Sequence, residues 1–299
     1  MKFTLPLPRT FSFWSTVYSH GWCALPPFSV DKEAKRLNAV VPGRRSGAYA
    51  VSLYEENKRL VVLVQNRRQL TSEARIEVAN AVSTMLRIDD TLEEFYGEAK
   101  KHPRYRWVSK RGAGRLLRAP SVFEDVVKMI CTTNCSWALT EIMVTALTRK
   151  LGVHVHGGSY SFPTPDVLAA QSESFLRREI RCGYRAPYLL EFARRIVAGD
   201  LSIEQWRRSD ARTEELFNNV RSVKGVGEYA AGNILKLLGR YDYLGLDSWC
   251  RGKYYEIFTK GRKVKDATIE KYYAPFGKWR GLFLWMDVTK EWYEKEFPF

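Results

Sequence analysis

Asp247 stands out by its setting. It lies in Gly245-Leu246-Asp247-Ser248-Trp249-Cys250-Arg251, 20 residues after Gly227 of a Val223-Lys224-Gly225-Val226-Gly227 turn. Gly225 and Gly227 can take backbone angles closed to other residues and let the main chain approach a partner closely. The turn opens onto a helix read from Glu228 to Leu238, and a helix N-terminus favours an anion. A nucleic-acid phosphate fits there without any reading of sequence. Lys224 is placed to face solvent or that phosphate, and Val226 to plug back into the core. An ordinary tight helix connection has the same Gly-x-Gly pattern. For Asp247 there are likewise two readings. One is a helix N-cap worth about 1 kcal/mol. The other is a carboxylate returned close to the turn, where it would stabilise a developing cation and orient or deprotonate water.

The remaining chemistry-bearing residues are sparse. Five cysteines (Cys23, Cys131, Cys135, Cys182, Cys250) are few and odd in number. That argues against a disulfide scaffold and for a reducing compartment. Cys131 and Cys135 have no second close pair, and His154-Val155-His156 reads as a loop pair, so no metal site is expected.

Charge points to a partner. Forty-eight basic residues against 33 acidic give a net charge of +15, which favours a polyanion, nucleic acid ahead of a membrane surface. The basic pairs Arg44-Arg45, Arg67-Arg68, Arg177-Arg178, Arg194-Arg195 and Arg207-Arg208 are scattered, and each also reads as a solvated face. Nine Trp, 16 Tyr and 15 Phe supply a core and rings to spare for stacking or extruding bases. Over 299 residues, 45% hydrophobic and 27% charged, the chain is an ordinary globular one of one large or two to three small domains. It has no apolar run of about 18 residues for a membrane span. Its first nine residues are too short and proline-broken an apolar stretch for a secretory signal.

The elements that must position these residues divide in character. Ser46 to Tyr54 alternates, Glu55 to Lys58 makes a turn, and Arg59 to Val64 is a second strand, an antiparallel hairpin. Leu70 to Ile88 carries Ile76, Val78, Ala79, Val82, Met85 and Leu86 at helical spacing. Ser121-Val122-Phe123-Glu124 is a capping-box pattern opening another helix. Leu189 to Val197 and Thr213 to Val220 also read as helices, the latter a short capped one, and Lys110 to Gly114 as a loop.

Hairpin and spaced aspartate together resemble the helix-hairpin-helix DNA glycosylase superfamily, in its 8-oxoguanine DNA glycosylase and 3-methyladenine DNA glycosylase II branch. Three further segments share the resemblance. Ile130 to Trp137 looks like the loop that inserts a side chain into the duplex. Cys182 to Tyr188 looks like a Gly-Tyr-Arg-Ala segment, and Phe276 to Trp285 like the segment that closes the base pocket. The implied fold is α+β, mostly α. An N-terminal antiparallel sheet domain spans 1–88. One helical subdomain spans 89–115 with 240–299, and a second spans 116–239 with the helix-hairpin-helix at 213–238. The family places its active site in the cleft between the helical subdomains.

The resemblance implies a base-excision enzyme acting on double-stranded DNA that contains a damaged base. Asp247 would be catalytic. Lys224, Gly225, Val226 and Gly227 would hold the backbone, Asn134 would fill the emptied stack, Tyr184 would wedge beside the opposite base, and Arg185 would contact that base or a phosphate. Tyr229, Trp249 and Trp285 would wall the base pocket. Tyr229 stands where the bifunctional 8-oxoguanine enzymes carry a lysine, and the 3-methyladenine group has an aromatic residue there. Asn233 and Trp249 occupy the places of the cysteine and histidine of the 8-oxoguanine pocket. The implied enzyme is therefore monofunctional and directed to an alkylated base. An 8-oxoguanine-type enzyme and a non-catalytic helix-hairpin-helix DNA-binding protein are the alternatives; an RNA-binding or scaffold role has only the net charge behind it. An iron–sulfur cluster is not expected, because only Cys250 lies beyond position 182; a monovalent cation at the hairpin carbonyls is the one cofactor the family suggests. The chain is expected to be a monomer, intracellular and DNA-associated, with no membrane partner.

Overall fold

Alternating β-branched and apolar residues build a sheet at the N-terminal end. The computed structural model describes residues 1–43, 47–65, 70–155 and 157–294, so Arg44-Arg45, Arg67-Arg68 and His156 lie outside the described residues. Strands β1 (Lys2–Pro6), β2 (Ser29–Asp31), β3 (Arg36–Gly43), β4 (Gly47–Glu56) and β5 (Arg59–Gln65) form one antiparallel sheet in the order β1-β5-β4-β3-β2. The expected hairpin is β4–β5. Its turn narrows to Asn57-Lys58, both at positive φ, with Glu56 opposite Arg59. That mirror-image turn matches the twist of the strands it joins. The edge strand β1 ends on Pro6, where the missing N–H costs no ladder bond.

Contacts divide the chain into two units, 1–90 with 115–204 and 91–114 with residues from 205 on. In the first, the helix Ser72–Leu86 is capped by Thr71, whose Oγ1 accepts the Ala74 N–H at 3.2 Å, and buries Val78, Val82, Met85 and Leu86. Ile76, expected on that face, is 59% exposed. The helix Val122–Thr132 begins as the capping pattern predicts, with Ser121 Oγ accepting the Glu124 N–H at 3.2 Å. The Glu204 carboxylate accepts the N–H groups of Val122 and Phe123 at 3.0 and 3.1 Å, matching an anion to the positive helix end. Lys128 and Glu124, both buried, pair at 2.6 Å, and Phe123 stacks on Phe192 of the helix Ala186–Val197.

The second unit is helical. Its core holds Asp287, buried on the helix Arg280–Glu294, which accepts from Arg104 (2.6 Å), Tyr105 (2.6 Å) and Tyr273 (2.8 Å). Those three donors satisfy a carboxylate that burial alone would penalise. Lys110 and Arg111, expected in a loop, close the helix Arg106–Arg111, and the chain turns at Gly112 in the left-handed region. The helix Thr213–Arg221 has no side-chain cap; the Thr213 hydroxyl instead donates to Asp242 at 3.1 Å. Phe217 stacks on Tyr243 with centroids 3.9 Å apart, and Arg240 donates to the Ser209 carbonyl at 2.6 Å. These contacts tie 205–238 to the segment beyond 240. The division drawn by contacts therefore runs at 204/205 and not at the 239/240 boundary read from the sequence.

Candidate active site

The hairpin is built by a turn whose apolar residues face inward. Val223 and Val226 are buried, and the Val226 N–H closes the turn on the Val223 carbonyl at 3.0 Å. Gly225 has φ of 88°, which favours glycine. Gly227 does not: it is extended at φ −81° and ψ −176°, as N-cap of the helix Glu228–Leu238. Its missing Cβ would meet nothing within 4 Å. Open space thus lies over a helix N-terminus that no side chain caps, with Lys224 exposed beside it. This suits the close approach of an anion to the backbone.

Asp247 is the N-cap of the helix Ser248–Thr259, and its Oδ1 accepts the Cys250 N–H at 2.6 Å. A stretch of backbone in contact with the hairpin's second helix carries it there. A Cβ on Gly232 would stand 2.8 Å from the Gly245 Cα, so only glycine permits this approach. Gly245 is itself left-handed at φ 58°. Asn233 Nδ2 donates to the carbonyls of Tyr229 (3.0 Å) and Gly245 (3.1 Å). Lys236 Nζ donates to the Leu244 carbonyl (2.6 Å) and to Asn233 Oδ1 (3.1 Å). Lys236 is 2% exposed. Burial lowers its ammonium to about 8, against the opposing pull of Cys250 and Asp247. Burial pushes the Cys250 thiol up to about 12.

Beside this network stand three indoles. Trp249, 37% exposed, lies 5.9 Å from Trp285 and 5.6 Å from Trp292, which are 5.9 Å from each other. The Lys236 ammonium sits 5.7 Å from the Trp285 ring centroid. The structure thus joins two rings picked from the sequence and adds Trp292. The signal for Trp292 was available: it follows Trp285 by seven residues, two helical turns, on the same face. Tyr229 is half-buried at the start of the hairpin helix.

In the other unit, Asn134 and Tyr184 share one loop cluster. Asn134 is exposed and left-handed at φ 47° between the helices Val122–Thr132 and Trp137–Leu151, a conformation asparagine tolerates. The Thr133 carbonyl accepts from the Tyr184 hydroxyl at 3.2 Å and from the Arg185 guanidinium. Tyr184 is 44% exposed, whereas Arg185 is buried, with its guanidinium 4.5 Å from the Tyr184 ring centroid. The sequence reading gives Arg185 to an opposite base or a phosphate. In the structure its charge is engaged by a carbonyl and a ring, so it braces the Asn134 loop from beneath.

Cys131, Cys182 and Cys250 are buried free thiols, as is Cys23; Cys135 is a half-buried one. Among the described residues no group of three or more Cys, His, Asp or Glu side chains is arranged to hold a metal ion, and no helix is long and apolar enough to cross a membrane.

No family model matches the chain. A curated relative, an N-glycosylase/DNA lyase of Saccharomyces cerevisiae, is 29% identical over 136 residues, which cover 42% of this chain and 36% of that protein. The matched stretches span between 36% and 62% of the curated relatives' lengths. The fold is shared over nearly the whole chain. An 8-oxoguanine glycosylase/lyase of Clostridium acetobutylicum superposes with a TM-score of 0.75 at 19% identity, covering 96% of this chain and 95% of that one. The same enzyme has been solved with double-stranded DNA containing cytosine opposite 8-oxoguanine. A 3-methyladenine DNA glycosylase of Archaeoglobus fulgidus superposes with a TM-score of 0.74 at 20% identity, covering 97% and 99%. In fold and in its curated relatives, the chain is similar to the helix-hairpin-helix DNA glycosylases, 8-oxoguanine and 3-methyladenine types alike.

Proposed function

We propose that this chain is a DNA N-glycosylase that hydrolyses the N-glycosidic bond of a damaged base in duplex DNA. The observation that carries the reading is the juxtaposition of hairpin and carboxylate. The uncapped helix N-terminus at Gly227 and the Asp247 N-cap belong to one packed unit joined by the Gly232–Gly245 contact. The hairpin takes a backbone phosphate. Asn134 and Tyr184 fill and wedge the stack once the base has left it, a step costing a few kcal/mol. As the glycosidic bond lengthens, the sugar gains positive charge, and the Asp247 carboxylate stabilises it. The water oxygen bonds to C1′, the base departs with the electron pair of the broken bond, and Asp247 accepts the proton that the water gives up.

The hydrolytic form is favoured because Tyr229 offers no amine and the Lys236 amine is buried against the Leu244 carbonyl. The indoles Trp249, Trp285 and Trp292 give a wall suited to an electron-poor alkylated base, and this is the lesion class we assign. The hairpin carbonyls are also where a monovalent cation would bind, and the protein would act as a monomer.

The test is a panel of duplexes carrying alkylated, oxidised and deaminated bases, scored for free base with the wild type and Asp247→Asn. The amide keeps a cap worth about 1 kcal/mol and loses the charge. Base release should vanish while duplex affinity stays within about tenfold. Binding without release from any duplex in the wild type would point to the non-catalytic alternative. Release by the variant at the wild-type rate would remove Asp247 from the reaction.

A further inference from the structure

The hairpin's second helix is largely buried and carries two polar side chains, Asn233 and Lys236, on the side of Gly232, away from its apolar face. Ala230, Ala231, Ile234, Leu235, Leu237 and Leu238 are buried on that face, and Lys236 is buried as well. A lysine is almost never fully buried unless it is paired, and the ordinary remedy, extending the stem to place the amine in water, is not taken. Its Nζ is directed instead at the Leu244 carbonyl, 2.6 Å away, and at Asn233 Oδ1, 3.1 Å away. Asn233 passes the connection on through Nδ2 to the Gly245 carbonyl at 3.1 Å. Two consecutive carbonyls, two and three residues before Asp247, are thus held by two side chains from the hairpin helix.

We infer that Lys236 is the positioning residue of Asp247: with Asn233 it fixes the Leu244–Gly245 backbone on the hairpin helix and so sets where the carboxylate stands relative to the hairpin. The inference rests on the catalytic reading of Asp247 given above. The alternative role, an amine nucleophile, is disfavoured by the same geometry, because the amine is 2% exposed and directed at two acceptors. The titratable groups facing the amine are the Asp247 carboxylate and the Cys250 thiol, both from the start of the helix Ser248–Thr259. On its remaining side lies the Trp285 ring. Burial lowers the ammonium to about 8, so the charged tether weakens just above neutral pH. The attraction between ammonium and Asp247 is mutual, and its loss loosens the carboxylate as well.

Three proteins test this: wild type, Lys236→Met and Lys236→Arg, with Asp247→Asn as the reference for chemistry. The first measurement is amide hydrogen exchange over 244–251. The Cys250 and Arg251 amides, which donate to Asp247 Oδ1 and to the Asp247 carbonyl, should exchange at least about tenfold faster in Lys236→Met. Unchanged protection overturns the inference whatever the enzyme does. The second is the pH profile of single-turnover base release. Wild type should lose rate above about pH 8. Lys236→Met should be slower by about 100-fold, the cost of a small misplacement of a reacting group, and should show no alkaline limb. Lys236→Arg keeps a permanent charge and should recover part of the rate with the limb moved upward. If Lys236→Met keeps both rate and profile while Asp247→Asn is inactive, the positioning role fails and the catalytic reading stands. If Asp247→Asn is fully active, the catalytic reading fails, and the exchange measurement still decides the tether. Should the methionine variant not fold, Lys236→Gln is read by the same two measurements.

Discussion

Gly232 meets Gly245 backbone to backbone: a Cβ on Gly232 would stand 2.8 Å from the Gly245 Cα and 3.0 Å from its N. This contact sets the separation between the hairpin helix and the chain leading to Asp247. It gives a prediction whose sign opposes helix propensity. In a helix interior, glycine to alanine ordinarily stabilises by about 1 kcal/mol. Here Gly232→Ala should destabilise by about 1–3 kcal/mol, because a backbone must shift, and should slow base release together with the melt. A variant with a raised melting temperature would show that the approach is not tight.

The hairpin glycines divide in the same way. Gly227 is extended and faces open space, so Gly227→Val should still fold, losing about 1 kcal/mol for valine at an N-cap, yet bind duplex more weakly, its side chain standing where the phosphate approaches. Gly225, at φ 88°, should lose stability on substitution by valine. Wild-type affinity should fall linearly in log–log form with salt, by about 0.9 per phosphate contacted. Normal binding by a folded Gly227→Val protein, or salt-independent affinity, would remove the hairpin from the interface.

Much of this was legible from residue types alone. The turn glycine Gly225, the apolar plug at Val226 and the cap at Asp247 are local signals, and each has its counterpart in the structure, whereas Gly227 is extended. The β4–β5 hairpin alternates and was readable; β1 to β3 are short or proline-bearing and were not. What escaped was tertiary. Arg185 reads as a surface charge in one dimension and is buried in three, because the Thr133 carbonyl lies 52 residues earlier. Lys236 lies two turns beyond Tyr229 in the sequence, and the return of the chain at Leu244 gives its buried amine a carbonyl acceptor that no local pattern announces. The grouping of 205–238 with the C-terminal helices goes with the Phe217–Tyr243 stack and the Thr213–Asp242 and Arg240–Ser209 bonds, pairings with no local signature.

The buried amine also fixes a dependence of stability on pH. Its pKa is lowered in the folded chain, from 10.5 to about 8. Between those values the unfolded chain binds more protons than the folded one, so stability contributed by this group rises with pH across that window. Below it the folded state carries the full penalty of a buried charge, about 3 kcal/mol at 1.36 kcal/mol per unit. Denaturant melts at pH 7 and pH 10 should therefore diverge between wild type and Lys236→Met, with wild type gaining relative to the variant as pH rises. Parallel curves would show that the amine is not desolvated.

The last prediction concerns the product. A glycosylase that also cuts the strand uses an amine to attack C1′ and passes through an imine that borohydride reduces to a stable adduct. Tyr229 sits two residues after Gly227, at the head of the hairpin helix, and a phenol cannot form an imine. Two lysines flank it in sequence. Lys224 is exposed before the hairpin, on the side where a phosphate is expected. Lys236 has the lowered pKa that suits a nucleophile but points away from solvent, into the Leu244 carbonyl. To attack, it would have to break that bond and the one to Asn233, releasing the backbone that carries Asp247. Incubation with a lesion duplex and borohydride should therefore give no covalent protein–DNA adduct. The strand should stay intact, with an abasic site that cleaves only on later treatment with base. An adduct that disappears in Lys236→Met would make the buried amine the nucleophile; one that disappears in Lys224→Ala would place the sugar at the hairpin mouth. Either result would replace hydrolysis by Asp247-directed water with amine attack.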